Sequence, residues 1–443
     1  MRVGIGTEDI TPSIGMRTEL FQNLLVDAII TPLLLKVCIL ECEGTAMVIV
    51  AADVMDFFAD SIDDIRNIIH DVAGIQQQNI FINSSHTHSA PYIYPSAQRY
   101  LDKRGTGFLD MEYYKGLLNA ARAATAKAVQ NLEDAEVKYS SGFVSAVASN
   151  RRVELEDGSV GVRYGRDVPE NLRERPDGLI DPHVECIWFH RHDGTLIGAL
   201  INYACHGTSY NQYSEICWDY MGFARENIEK QLGGQVLFLQ GCAGNISPGK
   251  YTTHEPLDDA MLLGKRLSDA ALQGYSHLSG IHADFLKVIS KEIHLKGRTT
   301  LGAEELQSKL EREVQKALSA CREGKSEPSG AMVISYLERL LMLRNYPDLN
   351  IPSEIGIVYI GKAALVFLPG ECFIQYALKI KKHMAGKPVL VMSYADCTLQ
   401  YIPDRKAYDE AGGYETDPDW CYSEMGNGER LVQEVISMFE ENA

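Results

Sequence analysis

Ile80-Phe81-Ile82-Asn83-Ser84-Ser85-His86-Thr87-His88-Ser89-Ala90-Pro91 is an apolar run that gives way to two imidazoles among small, turn-forming side chains. The apolar residues read as a buried strand, and strand ends of α/β sheets are where ligands and catalytic groups collect. Neutral imidazole is the commonest metal ligand, and a shared cation is one good reason to place two so close. Being two residues apart, His86 and His88 point to the same side if the chain stays extended, so one can bind a metal while its neighbour faces the substrate. The pattern recurs in Asn202-Tyr203-Ala204-Cys205-His206-Gly207-Thr208, where a second strand delivers His206 to a Gly-Thr-Ser loop.

Outward from these loops, apolar runs alternate with amphipathic stretches. Strands are expected at Leu34–Leu40, Ala46–Val54, Asn79–Ile82, Val184–Phe189, Ile197–Tyr203, Gln235–Gln240, Ile355–Ile360, Ala364–Leu368 and Pro388–Met392. Helices are expected at about Asp60–Ala73, Met111–Asn131, Tyr220–Gln231, Asp258–Ala271, Ala303–Arg322, Cys372–Met384 and Arg430–Glu440. Such mixing predicts an α/β fold with a mixed sheet, or two packed sheets, flanked by helices. No Pro/Gly/Ser-rich linker divides the chain. Glu154–Asp181 reads as a long surface excursion, and 297–330 as a peripheral helical insertion ending in Gly-Lys-Ser-Glu-Pro-Ser-Gly. Site residues fall on both sides of these segments, so residues 1–443 are expected to form a single catalytic domain.

Composition excludes several functions. The chain has 443 residues and a formal charge of −18 from 60 acidic and 42 basic side chains, which argues against a nucleic-acid partner because that affinity comes mostly from basic neutralisation of phosphates. No run reaches the ~18 apolar residues of an integral membrane segment. The N-terminus lacks the apolar core of a signal peptide, so a cytoplasmic protein is expected. The 10 Cys are scattered without a C-x-x-C pair, and most are expected to be reduced and buried. His190 and His192 make a second H-x-H, but the Asp193-Gly194 that follows marks a hairpin turn, so both read as solvated turn residues.

A catalytic zinc typically has three protein ligands and an open position for water. Two imidazoles leave a carboxylate to find, and Glu371 in Val366-Phe367-Leu368-Pro369-Gly370-Glu371-Cys372-Phe373 follows a buried strand and a Pro-Gly turn. Taken alone, Glu371 is an ordinary first-turn helix acid favoured by the macrodipole. The loop Gln240-Gly241-Cys242-Ala243-Gly244-Asn245-Ile246-Ser247-Pro248-Gly249 also follows a strand, and suits exposing amide donors or a hydroxyl to a substrate oxygen. It has neither P-loop nor nucleophile-elbow spacing. Tyrosines gather near the C-terminus at Tyr401, Tyr408 and Tyr414; they are packing residues, metal ligands or donors to an oxyanion. A cysteine nucleophile is disfavoured, because Cys205 on a strand faces away from the adjacent His206. Amidohydrolase barrels need further His and Asp ligands and regular βα repetition. Metallo-β-lactamase sites continue H-x-H into x-D-H, where this chain has Ser89-Ala90-Pro91.

In order, Asp9-Ile10-Thr11-Pro12, Ala51-Ala52-Asp53, Ser85-His86-Thr87-His88-Ser89-Ala90-Pro91, Asn150-Arg151, Cys205-His206-Gly207-Thr208, Asp219-Tyr220-Met221-Gly222, Gly244-Asn245-Ile246-Ser247-Pro248, Pro369-Gly370-Glu371, Tyr401 and Tyr414-Glu415 resemble the neutral (non-lysosomal) ceramidase family, catalytic domain only. The resemblance runs from about Thr7 to Glu415. It implies a zinc held by His86, His206, Glu371 and Tyr401, with His88 and Arg151 on the substrate and Tyr414 near the reacting carbonyl. Ser247 falls where the family has its motif serine, viewed variously as nucleophile or as supporting hydroxyl. The chain departs from the family at Asn245, where Asp is usual, and at Ala90, where Gly is usual. The further immunoglobulin-like domain that ceramidases carry is not expected within these 443 residues. The expected activity is zinc-dependent hydrolysis of an amide or ester in a small-molecule substrate (an N-acyl compound, a sugar ester or a lactone). The alternatives are a ceramidase acting on a sphingolipid amide, or a non-catalytic protein that retains the scaffold.

Overall fold

Aliphatic and β-branched runs build three mixed sheets, and each sheet ends in one strand–helix–strand unit. In the computed structural model, residues 1–17, 25–104, 107–212, 214–322, 329–395 and 399–442 are described. Most of the Gly324–Gly330 tail of the expected insertion, and Cys397, lie outside the described residues. The first sheet runs Ile80–Ser84, Thr45–Ala52, Leu34–Cys42, Arg2–Asp9, Glu133–Asp134 in spatial order. The second runs Gln235–Gln240, Leu196–Tyr203, His183–His190, Glu136–Phe143, Ser279–Gly280, and the third Leu286–Lys296, Asn350–Ile360, Ala363–Phe367, Val389–Met392.

Neighbours pair antiparallel except at one place per sheet. Thr45–Ala52 lies parallel to Ile80–Ser84, Leu196–Tyr203 to Gln235–Gln240, and Ala363–Phe367 to Val389–Met392. A parallel pair needs a crossover, usually helical. The three crossovers contain the helices Ala59–Ala73, Asp219–Leu232 and Ile374–His383. All six strands of these units therefore end in loops at their C-terminal edges, the position where open α/β sheets bind ligands.

Strand side chains alternate between two environments, as the period of two requires. One set, including Ile5, Leu40, Ile49, Ile187, Leu200, Leu237, Val358, Leu365 and Leu390, meets in a common core between the sheets. The other faces helices such as Met111–Gln130 on the first sheet and Pro256–Tyr275 on the second. Two buried asparagines join the sheets at the parallel ends. Asn83 Oδ1 accepts from Gln240 N at 2.7 Å, and its Nδ2 donates to Ser393 O at 2.5 Å. Asn202 Nδ2 donates to Leu239 O at 2.9 Å, and its Oδ1 accepts from Val391 N at 3.2 Å.

Every expected strand and helix is present within a few residues of its bounds. Strands Arg2–Asp9, Glu136–Phe143 and Leu286–Lys296, and helices Pro95–Asp102 and Ser329–Asn345, are among the additional elements. Gly4 and Gly6 weigh against a strand in the sequence, yet they are there because helix Met111–Gln130 crosses directly above them. A Cβ on Gly6 would sit 2.0 Å from Ala124 O. His192 lies in the expected turn and is exposed. His190 does not: it is buried at the end of its strand, with Nε2 2.8 Å from the Tyr275 hydroxyl. The described cysteines are free thiols, nearly all buried.

Gly6→Ala should lower the urea midpoint by the equivalent of ~1–3 kcal/mol through overpacking. Gly116→Ala, in helix Met111–Gln130 with nothing within 4 Å of the added methyl, should raise stability by ~0.5–1 kcal/mol. Equal midpoints for the two variants would remove the close strand–helix approach from the account.

Candidate metal centre

Six loops from the C-terminal ends of the parallel strands enclose one buried cluster. After Ile80–Ser84 the chain does not stay extended. It turns at His86, whose φ of 59° lies in the left-handed region that costs a non-glycine residue of order 1 kcal/mol or more. Backbone bonds hold that turn: Ser85 N donates to Ala52 O at 2.9 Å and His86 N to Val54 O at 3.1 Å. Thr87 then bridges to Gly207, and His88 N donates to Gly207 O at 3.0 Å, which brings the two His loops together.

His86 Nε2 lies 3.1 Å from His206 Nε2 and 3.3 Å from His88 Nε2. Glu371 Oε2 lies 3.4 Å from His206 Nε2 and 3.6 Å from His86 Nε2. The ligand atoms of His86, His88 and His206 fall within 4.8 Å of one another, and all three residues are buried. The opposite ring nitrogens fix the tautomers. His206 Nδ1 is 2.9 Å from Ala243 O, a pure acceptor, so it carries the proton and leaves Nε2 with a lone pair. His86 Nδ1 is 3.0 Å from Asp56 Oδ1 and 3.1 Å from Met55 O, which assigns it the same way. Two lone pairs and a carboxylate oxygen at such distances repel unless a cation lies among them. Imidazoles whose second nitrogen is held by a carboxylate or backbone carbonyl are the usual surroundings of a bound metal. The donor set fits a borderline divalent ion of the zinc type.

Burial and neighbouring charges pull the protonation states of the cluster in opposite directions. Burial holds His88 and His206 well below the ordinary histidine range, keeping them neutral, and the Arg151 charge adds to this in both. Burial would also lower His86, but the Asp56 and Glu371 carboxylates outweigh it and raise its pKa. Burial pushes Glu371 up to about 7, against the pull of His86.

Of the expected substrate-side residues, Arg151 and Tyr414 form a second group around a buried guanidinium, whereas His88 lies among the ring nitrogens of the first. Arg151 is fully buried; its Nε donates to Glu415 Oε1 at 2.8 Å and its Nη2 to Gly244 O at 2.6 Å. Its guanidinium carbon lies 4.9, 5.2 and 5.4 Å from the ring centres of Tyr414, Tyr401 and Tyr164. Arg151 Nη1 has no hydrogen-bond partner among the described residues, and the Tyr414 hydroxyl is directed at the Tyr401 phenol. Tyr401 pairs with Glu371 in register across short parallel strands, and burial and then Glu371 push its phenol well up. Ser247 Oγ donates to Arg163 O at 2.7 Å, so its hydroxyl is engaged with the 154–181 excursion. Asn245 caps the helix Ile374–His383: Oδ1 accepts from Ile374 N and Nδ2 donates to Gln375 Oε1, each at 2.9 Å. The Cys205 thiol points at Val147 O, and burial raises it well above the ordinary range, which removes the support for a Cys–His dyad.

Three residues beside the imidazoles, Asp56, Tyr394 and Tyr164, were not read from the sequence. Tyr394 places its hydroxyl 3.3 Å from Glu371 Oε2 and 3.4 Å from His206 Nδ1. Tyr164 places its own 3.4 Å from His88 Nδ1. Tyr394 follows the strand Val389–Met392 as His86 follows its strand, and that parallel position was the available signal. Tyr164 sits mid-excursion and gave none.

Residues 37–251 match the sequence profile of the neutral/alkaline non-lysosomal ceramidases, N-terminal part. The neutral ceramidase of Pseudomonas aeruginosa superposes with a TM-score of 0.72 at 18% identity, covering 99% of this chain and 73% of that one. A ceramidase complexed with C2 superposes with a TM-score of 0.71 at 17% identity, covering 99% of this chain and 75% of that one. No curated protein matches in sequence. The resemblance drawn from the motifs therefore holds in sequence over 37–251 and in fold over nearly the whole chain.

Asp56→Asn keeps the shape beside His86 but removes the charge. Divalent-metal affinity, read by competition with a chromophoric chelator, should fall ~10–100-fold. Undiminished affinity would show that Asp56 does not act through His86.

Proposed function

We propose that this ceramidase-like chain is a zinc-dependent hydrolase that cleaves an amide or ester of a small molecule. The observation that carries the reading is the approach of His86 Nε2, His206 Nε2 and Glu371 Oε2 within 3.1–3.6 Å of one another. His86, His206 and Glu371 would hold the ion, with Tyr401 as the fourth ligand that the family resemblance implies. A bound zinc supplies Lewis acidity there, polarising a carbonyl and acidifying water towards a pKa of ~7.

The remaining steps belong to the protein's own side chains. His88, kept neutral by burial, orients the substrate or takes a proton from the attacking water and passes it to the leaving group, and the Tyr164 hydroxyl steadies its ring. The free Nη1 of Arg151 and the Tyr414 hydroxyl are donors for the oxyanion that develops on the carbonyl oxygen. Their burial strengthens that role, since a donor desolvated in advance needs no reorganisation during the reaction. Ser247 supports the wall rather than attacking, because its hydroxyl is already spent on Arg163 O.

Among substrates, an N-acyl compound, a sugar ester and a lactone all present the required carbonyl. A sphingolipid amide is a second reading, favoured by the ceramidase profile over 37–251. Hydrolytic assays on ceramides against short acyl amides, sugar esters and lactones separate the two.

Purified protein should contain about one equivalent of zinc, and folded His206→Ala should contain none and show no turnover. A wild-type chain that folds fully and binds no metal would favour a non-catalytic scaffold instead. Tyr414→Phe should keep its zinc and lose roughly 10²–10³ in turnover, the usual worth of one oxyanion donor. Unchanged turnover would remove Tyr414 from the mechanism.

A further inference from the structure

Helix Ser329–Asn345 sends one carboxylate, Glu338, to a buried position behind the candidate metal centre. Its Oε1 accepts from the Tyr92 hydroxyl, and its Oε2 from the Tyr422 hydroxyl at 2.7 Å. The Gln400 side-chain amide donates to Glu338 Oε1 at 3.2 Å and to the Tyr92 oxygen at 3.0 Å. The adjacent Arg339 is not its counterion: Nη2 donates to Asp419 Oδ1 at 2.7 Å and to Ser335 Oγ at 3.0 Å. Two phenols and an amide thus hold a carboxyl that burial pushes up to about 7. Burying an acid without a cation is expensive, and an apolar side chain of similar size would usually stabilise the fold better.

What the three donors are attached to supplies a reason for the acid. Tyr92 follows the His88 loop, and its neighbours tie down the residues that hold His86. Met55 N donates to Pro91 O at 3.4 Å and Ile93 N to Asp56 O at 3.2 Å, and Met55 O and Asp56 Oδ1 are the partners of His86 Nδ1. Gln400 leads to the other limb. Its carbonyl accepts from Glu371 N at 2.8 Å, and its φ of 53° is a left-handed conformation that needs an external hold in a non-glycine residue. Tyr422 anchors the far side of the carboxyl to the segment that follows Glu415.

We infer that Glu338 is a positioning residue: through Tyr92 and Gln400 it fixes the His86–His88 and Glu371 limbs of the cluster relative to each other. The inference rests on the metal-centre reading for its consequence, though not for its geometry. The helix that follows the expected insertion is then a working part of the site.

The test uses Glu338→Ala and Glu338→Gln in the full chain, with zinc affinity by chelator competition and hydrogen exchange of the Glu371 amide in metal-free protein. Glu338→Ala should weaken zinc binding ~10–100-fold, the usual effect of losing an outer support, and speed Glu371 exchange. Glu338→Gln, which keeps one acceptor and the shape, should return both to within a few-fold of wild type. A merely structural role would lower the melting temperature and leave zinc affinity alone; that result in folded Glu338→Ala overturns the inference. If wild type binds no zinc, the metal-centre reading falls by itself, and wild-type exchange in Glu338→Ala then overturns the positioning role. Should Glu338→Ala fail to fold, Gln400→Leu tests the Glu371 limb by the same readouts and the same criteria.

Discussion

The structure depends on three parallel strand pairs, one per sheet, being made to end at the same point. Nothing in an isolated strand–helix–strand unit aims its loops at another unit. The aim comes from the asparagine bridges at the pair ends, where Asn83 joins the first sheet to Gln240 and Ser393, and Asn202 joins the second to Val391. Both side chains are buried in apolar surroundings, where an unmade amide hydrogen bond costs ~1–3 kcal/mol. Sliding one sheet past another breaks several such bonds at once, whereas purely hydrophobic faces would tolerate the slip. The apolar core between the sheets supplies the driving force, and the asparagines supply the register.

That register fixes the electrostatics of the centre. The ring nitrogens of His86 and His206 and a carboxylate oxygen of Glu371 meet in a space from which the solvent that would screen them is excluded. Their mutual repulsion is sustained because each is tethered from behind: His86 by Asp56 and Met55, His206 by Ala243, Glu371 by the Gln400 carbonyl. The same loops hold Arg151 near enough to bias His88 and His206 towards the neutral form. Its own charge is met by Glu415, whose second oxygen takes Arg152 at 2.7 Å. The positive part of the site is thus neutralised by the protein itself, whereas the negative part is left for a cation.

How much of this was legible in the sequence follows from what each contact needs. His86, His88, His206 and Glu371 stand at strand ends, and strand ends are marked by apolar runs breaking into small residues. Arg2–Asp9 was not legible, because Gly4 and Gly6 answer to a helix more than a hundred residues away. His190 was misread, since the turn that follows it says nothing of Tyr275 on a neighbouring helix. Tyr401 came only through family resemblance, and its pairing with Glu371 joins two segments that no local pattern relates. Tyr394 and Tyr164 escaped both routes. One is a lone aromatic after a short strand and the other lies in a polar excursion, and composition predicts neither position.

That excursion shows how a segment with little regular structure becomes a fixed wall. Glu154–Asp181 has few ladder bonds of its own, so its carbonyls need other donors. Arginines provide them. Arg163 Nη1 donates to Leu172 O and Arg175 O at 3.0 and 2.9 Å, and its Nη2 to Asn150 O and Pro176 O at 3.0 and 3.1 Å. Arg173 reaches Arg166 O at 2.7 Å and Gly249 O at 3.2 Å, stitching the excursion to the Gly-rich loop. A guanidinium suits this because its five donors lie in a rigid plane and remain charged when buried. The consequence reaches the chemistry by two routes. Arg163 presents the carbonyl that engages Ser247, and its next neighbour in the chain, Tyr164, is set against His88. A charged stretch that reads as solvated surface is instead the support on which one side of the cluster rests.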